Sequence, residues 1–144
     1  MPEKATLERA KRDKRQGKAP STQAGEFVRE EIEHIRLGKH GARSSKQAIA
    51  IGLSKARRAG VDLRPPKKGQ TSEKTRRSAE RAYEAGQRGK RISRRRSKGA
   101  QKALKREGHA AASKTELAKQ ARAAAQAAAQ KKIRRRVTQV KGNF

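Results

Sequence analysis

The side chains best equipped for chemistry in this chain are cations, and they recur in clusters. These are Lys11-Arg12 with Lys14-Arg15, Arg57-Arg58, Lys67-Lys68, Arg76-Arg77, Arg94-Arg95-Arg96, Lys131-Lys132 and Arg134-Arg135-Arg136. Lys and Arg neutralise phosphates and release condensed counterions, so affinity built this way falls steeply with salt. One cluster is an ordinary solvated surface; seven along one chain point to a polyphosphate partner. The candidate phosphate contacts are Arg57, Arg58, Arg76, Arg77, Arg94, Arg95, Arg96, Arg134, Arg135 and Arg136. If about six of them reach duplex phosphates, the log–log salt slope is near −5.

A second candidate is the segment Lys39-His40-Gly41-Ala42-Arg43-Ser44-Ser45-Lys46. It leads into a helix, and the free N–H groups at a helix start attract anions. Lys39, Arg43 and Lys46, with the hydroxyls of Ser44 and Ser45, form a candidate site for one phosphate; an ordinary capped turn is the alternative. Glu26, Glu30, Glu31 and Glu33 form an acidic patch. It is read as helix-dipole and i,i+4 pairing, with Glu30–His34 as one pair. The alternative is pairing with basic side chains of the next helix or the tail. His34, His40 and His109 lack metal-ligand spacing, and no nucleophile, base and orienting acid converge on a cleft. The expectation is no enzyme, no metal and no cofactor.

Charge sets the class. The chain has 41 Lys+Arg against 13 Asp+Glu and a net charge of +28 over 144 residues. A compact fold at that density repels itself, so a polyanion is expected to neutralise it. Leu, Ile, Val and Phe supply 18 of the 144 residues. So few large apolar residues allow one small helical domain and leave the rest disordered, or helical only once its charge is neutralised. With no Cys, disulfides, thiolate zinc sites and a cysteine nucleophile are excluded. The first thirty residues carry no apolar h-region, and no run is long and apolar enough to span a bilayer. A cytoplasmic protein is expected.

The aromatic content sets the mode of binding. There are two Phe, one Tyr and no Trp. Phe27 reads as core, Tyr83 stands alone on a helix, and Phe144 is terminal. Base stacking on aromatic platforms therefore fits poorly, and backbone contacts to a duplex fit better.

These groups must be positioned by helices. A short helix is expected from about Glu3 to Gln16, ended by Gly17 and Pro20. Ser21 or Thr22 can cap the next, on which Val28, Ile32 and Ile35 share a face, with Phe27 beside it and Gly38 as the stop. Ser44 stands three residues before Gln47, the spacing of a capping box. The helix after it runs from about Ser45 to Ala59, with Ile49, Leu53 and Ala56 on one face. Small residues at 48, 52 and 56 allow a neighbouring helix to come close. Residues 21–60 thus read as a helical hairpin module, after a basic segment at 1–20. Residues 61–72, with Pro65-Pro66, read as a linker.

Residues 73–144 read as a basic arm. They hold 23 Lys+Arg against 5 acids, compared with 18 against 8 in residues 1–72, so most of the affinity is assigned to them. Ser72 can cap a helix to about Ala85 whose modest apolar face is Ala79, Ala82 and Tyr83. The Gly86–Gly99 stretch reads as flexible, followed by a short helix over Gln101–Glu107. Ser113 and Glu116 repeat the capping-box spacing before an Ala-rich run of very high helix propensity, Lys114 to about Arg136. Its face of Ala, Leu117, Ile133 and Val137 buries little.

Gly38-Lys39-His40-Gly41-Ala42-Arg43-Ser44-Ser45-Lys46-Gln47-Ala48-Ile49-Ala50-Ile51-Gly52-Leu53-Ser54-Lys55-Ala56-Arg57-Arg58-Ala59-Gly60 resembles the signature of a family of small basic bacterial proteins of unknown function. Residues 19–28 and 71–77 extend the likeness, which covers roughly residues 15 to 110. It implies a bacterial origin and brings no catalytic or ligand residues. The C-terminal half resembles, in composition, the Lys/Ala-rich tails of linker histones and histone-like bacterial proteins.

The expected fold class is mostly α: a small helical hairpin module, at most dimerising through its 21–60 helices, plus a basic, partly disordered, partly helical C-terminal arm. The expected function is non-enzymatic, sequence-tolerant DNA binding of the nucleoid-associated or histone-like kind. RNA or ribosome association is the first alternative. Binding to anionic membrane or an acidic protein is the second, weakened because the last helix offers mainly Ala where an interfacial helix needs Trp, Phe or Leu.

Overall fold

The computed structural model describes residues 2–142; Phe144 lies outside them. It is mostly α, as expected. The helices are α1 (Lys4–Arg15), α2 (Pro20–Arg36), α3 (Ser45–Arg58), α4 (Glu73–Gln87), α5 (Arg94–Lys105) and α6 (Lys114–Lys141), with one 3-10 turn at Ala110–Ala112. The described residues contain no strand, only an isolated bridge between Lys68 and Thr71.

Three of the expected caps form. The side-chain oxygens of Ser44, Ser72 and Ser113 accept from the backbone N–H of Gln47, Thr75 and Glu116. Each satisfies an N–H with no partner within its helix. The α2 start differs from expectation. Neither Ser21 nor Thr22 caps it; Pro20 occupies the first turn after Ala19. Its fixed φ suits that position, and its missing N–H costs nothing there. Pro20 therefore begins α2 rather than ending α1.

The centre of the fold is the antiparallel pair α2 and α3, with α1 packed on α2 and α4 on α3. One cluster joins Ala10, Ala24, Phe27, Ala56 and Val61, with Leu7, Leu53 and Leu63 packed against it. A second joins Ile35, Ala42, Ala48, Ala111 and Ala112, with Ile32 alongside. The buried stripe of α3 is Ala48, Gly52 and Ala56, and Ile49 and Leu53 are only half-buried. The small residues, rather than the large ones, face the partner helix. A Cβ at Gly52 would lie 2.6 Å from the Cα of Val28, so the α2 backbone occupies the space a side chain would need.

Several regions read as separate segments belong to this body. In the basic N-terminal segment, α1 buries Thr6, Ala10 and Asp13, and Arg9 Nε donates to Glu26 of α2 at 2.7 Å. The 61–72 linker is a packed strap at its start, where Val61 and Leu63 join the first cluster. Residues 104–112 dock on the α2–α3 turn. Gly41 N–H donates to Leu104 O at 2.8 Å, Ala42 N–H to Gly108 O at 3.0 Å, and Arg36 Nε to Ala112 O at 3.0 Å. A Cβ at Gly41 would collide with the carbonyls of Glu107 and Gly108.

The arm is more ordered than its composition suggests. Residues 94–99, read as flexible, form the first half of α5, and α6 is a single helix of 28 residues. Alanine costs no side-chain entropy in a helix, so an Ala-rich run stays helical without burying a face. From Ala121 to Val140 every residue of α6 is exposed.

Gly52→Ala tests the close approach. The added methyl has no room against the Val28 backbone and is expected to lower stability by about 1–3 kcal/mol, despite the better helix propensity of Ala. Urea denaturation followed by helical circular dichroism reads the effect; stability equal to the parent would show that α2 and α3 do not pack this closely.

Candidate functional site

The ten candidate arginines fall into three groups by what surrounds them. Arg57 is turned into the fold. It is 8% exposed, with Nε donating to Leu63 O at 3.0 Å and a terminal nitrogen donating to Arg64 O at 3.4 Å. Burial lowers its pKa from the ordinary guanidinium value. It fastens the 61–64 strap to α3, and its assignment as a phosphate contact is corrected to a structural role. The neighbouring Arg58 is exposed.

Arg76 and Arg77 lie on α4 beside acids. Arg76 reaches Glu73 at 3.1 Å and Glu80 at 3.4 Å, and Arg77 lies 3.7 Å from Glu73. The hydrogen bond from Arg76 holds Glu73 below the usual carboxylate range and raises the Arg76 pKa in turn. Much of this charge is already answered within the helix, so a phosphate here competes with carboxylates.

Arg94, Arg95, Arg96, Arg134, Arg135 and Arg136 are exposed and make no ion pair among the described residues. Arg94–Arg96 open α5, which buries no residue and packs on no other helix. Arg134–Arg136 lie in the distal half of α6, whose helix contact is with α3 and the 3-10 turn. After Glu116 no acid occurs in the sequence. Cations at five of the six positions from 131 to 136 surround the helix on all sides rather than making one face.

The candidate anion site at residues 39–46 does not assemble. Ser45 Oγ donates to Ala111 O, and Ser44 Oγ is the α3 cap. The N–H of Arg43 donates to Gln47 Oε1 at 2.7 Å. Lys39 Nζ turns away to Glu3 Oε1 at 3.4 Å. Arg43 and Lys46 remain exposed. Ser44, Ser45 and Lys46 line an open groove whose far wall includes Glu116 and Lys119, and the carboxylate works against an anion. The structure therefore favours the capped turn.

The acidic patch supplies what the sequence reading missed. Along its own helix the expected Glu30–His34 pair is present at 3.9 Å, and Glu33 pairs with Arg29 at 3.1 Å. Glu26 bonds Arg9 of α1, and Glu31, fully buried, bonds Lys55 of α3. Glu30, 2% exposed, accepts from the Glu3 N–H at 2.7 Å and lies 3.9 Å from His34. His34 Nε2 is 2.9 Å from Glu3 Oε1. Hydrogen bonds from His34, then Lys39, lower the Glu3 pKa. His40 Nε2 is 3.2 Å from Glu31 Oε2. One ligand atom from each of Glu31, His34 and His40 falls within 4.8 Å of the others, and so does one from each of Glu3, Glu30 and His34. The expectation of no metal-ligating set rested on histidine spacing alone. The usable signal was Glu31-x-x-His34, an acid and an imidazole one turn apart on a helix.

Arg57→Gln separates structure from binding. Loss of the guanidinium bonds to Leu63 and Arg64 is expected to lower stability by about 1–3 kcal/mol in chemical denaturation. The salt dependence of any nucleic-acid binding by the chain should be unchanged. A stable variant with a shallower salt slope would return Arg57 to the list of phosphate contacts.

Neither a curated protein nor a solved structure matches the chain. Residues 4–68, from the start of α1 to the end of the docked strap, match the model of a family of unknown function, DUF6496, a span that begins and ends earlier than the resemblance seen in the sequence.

Proposed function

We propose that this chain is a non-enzymatic nucleic-acid-binding protein that holds duplex DNA through its phosphates, with little sequence preference, as a nucleoid-associated or histone-like protein does. The bacterial setting of that reading comes from the sequence resemblance, and the cytoplasmic one is the expectation drawn from the sequence composition. The observation that carries it is the separation of charge. The acids of α1, α2 and α4 largely answer cations of the folded body. The cations of α5 and distal α6 stand exposed and unpaired among the described residues.

The shape is suitable. A 28-residue helix is about 42 Å long at the α-helical rise, and a helix with its side chains fits the major groove of duplex DNA. A helix with cations on every side meets phosphates of both groove walls without a fixed orientation. That arrangement supports affinity rather than base readout.

The test is a salt titration of binding to duplex DNA by the full chain. The log–log slope is expected near −5, and the triple variants Arg94→Gln/Arg95→Gln/Arg96→Gln and Arg134→Gln/Arg135→Gln/Arg136→Gln should each flatten it by about 2 to 3. An unchanged slope in both variants would move the contacts elsewhere. Strong preference for a structured RNA competitor at equal salt would replace DNA by RNA, and no binding to either in dilute buffer would remove the reading.

A further inference from the structure

The Glu–His pocket contains none of the residues assigned to nucleic-acid binding. Three parts of the chain build it. α2 contributes Glu30, Glu31 and His34; His34 is one turn from each acid, at i+4 and i+3, while the two adjacent acids diverge around the helix. The α2–α3 turn contributes His40, and the residue before α1 contributes Glu3. The His34 and His40 rings meet edge to face, with centroids 5.9 Å apart.

Two features of this pocket are poorly explained by protein contacts alone. Glu30 Oε2 and Glu31 Oε2 are buried with no hydrogen-bond partner, and their residues are 2% and 0% exposed. A buried carboxylate oxygen without a donor is costly, and an ion is one of the few things that explains it. The second feature is His40. Its Nδ1 lies 3.0 Å from Gly41 O, which can only accept, so Nδ1 carries the hydrogen. In the neutral ring Nε2 is then a bare lone pair, held 3.2 Å from Glu31 Oε2. Two acceptors facing each other must share a cation, either a proton that makes the ring an imidazolium or a metal ion. A backbone carbonyl that fixes one imidazole nitrogen so that the other is free to ligate is the usual outer-shell arrangement of a metal-bound histidine.

We propose that Glu31, His34 and His40 bind a divalent transition-metal ion of the zinc class through Glu31 Oε2, His40 Nε2 and a ring nitrogen of His34, with solvent completing the coordination. Mixed imidazole and carboxylate donors suit zinc and its neighbours rather than magnesium or calcium. Tetrahedral zinc sets its ligands about 3.4 Å apart. One ligand atom from each of the three residues already lies within 4.8 Å of the others, so side-chain adjustment closes the set. The His34 ring exchanges its contact with Glu3 for the metal, and the half-exposed Glu3 keeps Lys39 as a partner. The ion would join α2 to the α2–α3 turn, against which residues 104–112 dock.

The test uses the full chain, freed of metal by chelation and of nucleic acid by high salt. Titration with Zn2+ should show a single saturable equivalent by calorimetry, and Co2+ should give the visible absorption of a low-coordinate nitrogen–oxygen site. Zn2+ should raise the melting temperature of the parent protein. His34→Gln and His40→Gln are each expected to weaken binding by about tenfold or more and to abolish the thermal shift, while His109→Gln binds as the parent does. Should either pocket variant fail to fold, imidazole NMR of the parent decides: Zn2+ must move the His34 and His40 resonances and leave His109 in place. Absence of saturable binding, equal binding by the folded pocket variants, or unmoved His34 and His40 resonances would each overturn the proposal.

Discussion

The structure depends on how closely α2 and α3 approach. A chain with net charge +28 and 18 large apolar residues cannot rely on bulk burial to hold itself together. Phe27 and Ile35 are its largest fully buried apolar side chains. Much of the remaining contact comes from Ala24, Ala48 and Ala56, and from Gly52 lying against the Val28 backbone. Dispersion between atoms falls off steeply with separation, so small residues stabilise a helix pair only when the backbones come near each other. The tight fit compensates for the missing bulk. It also brings Glu31 on α2 within reach of Lys55 on α3. The same approach that packs the alanines puts a carboxylate where water cannot reach it.

That geometry sorts the charges. The scarce acids point inward or along the body: Asp13 to Lys18, Glu26 to Arg9, Glu31 to Lys55. Each neutralises a cation that would otherwise repel its neighbours at the centre of the fold. Each pair joins a buried or half-buried acid to a partly exposed cation, and the placement matters, because it leaves α5 and α6 with hardly any counter-charge. The positive field is therefore concentrated on the two helices that bury least. On the proposed reading, folding and polyanion binding use different residues, with Arg57 marking the boundary: its guanidinium serves backbone carbonyls, while Arg58 beside it faces solvent.

Local signals were legible in the sequence. The serine caps at 44, 72 and 113 and the small-residue stripe at 48, 52 and 56 appear where spacing places them, because each depends on a few neighbouring residues. Tertiary choices were not legible. Nothing local indicates that Arg57 is buried, since clusters of arginine look alike until the strap at 61–64 folds over one of them. The docking of residues 104–112 depends on Gly41, whose missing Cβ makes room for two carbonyls 66 and 67 positions further on. Composition argued for disorder in the arm, and it measures hydrophobic burial well; it does not measure the helix propensity of alanine, which needs no burial. The Glu–His pocket was partly legible in Glu31-x-x-His34. His40 and Glu3 reach it only through the α2–α3 turn and the packing of α1.

Distal α6 shows how the two halves of the molecule meet energetically. Lys131 has Arg134 and Arg135 at i+3 and i+4, and Lys132 has Arg135 and Arg136. Like charges at those spacings oppose a helix by about 0.2–0.5 kcal/mol per pair, and no tertiary contact offsets them, since the side chains there are exposed. The alanines upstream supply the helical bias against which this repulsion acts. An anion laid along the helix removes the repulsion and leaves the bias. Binding to the helical form is therefore linked to helix stability: whatever fraction of the binding energy depends on helical geometry also stabilises the helix. A polyanion with regularly spaced charges suits this coupling better than a diffuse one, because its phosphates can answer cations on successive turns. The composition of this helix, unpromising as the surface of a packed domain, is consistent with a segment whose stability is completed by its ligand.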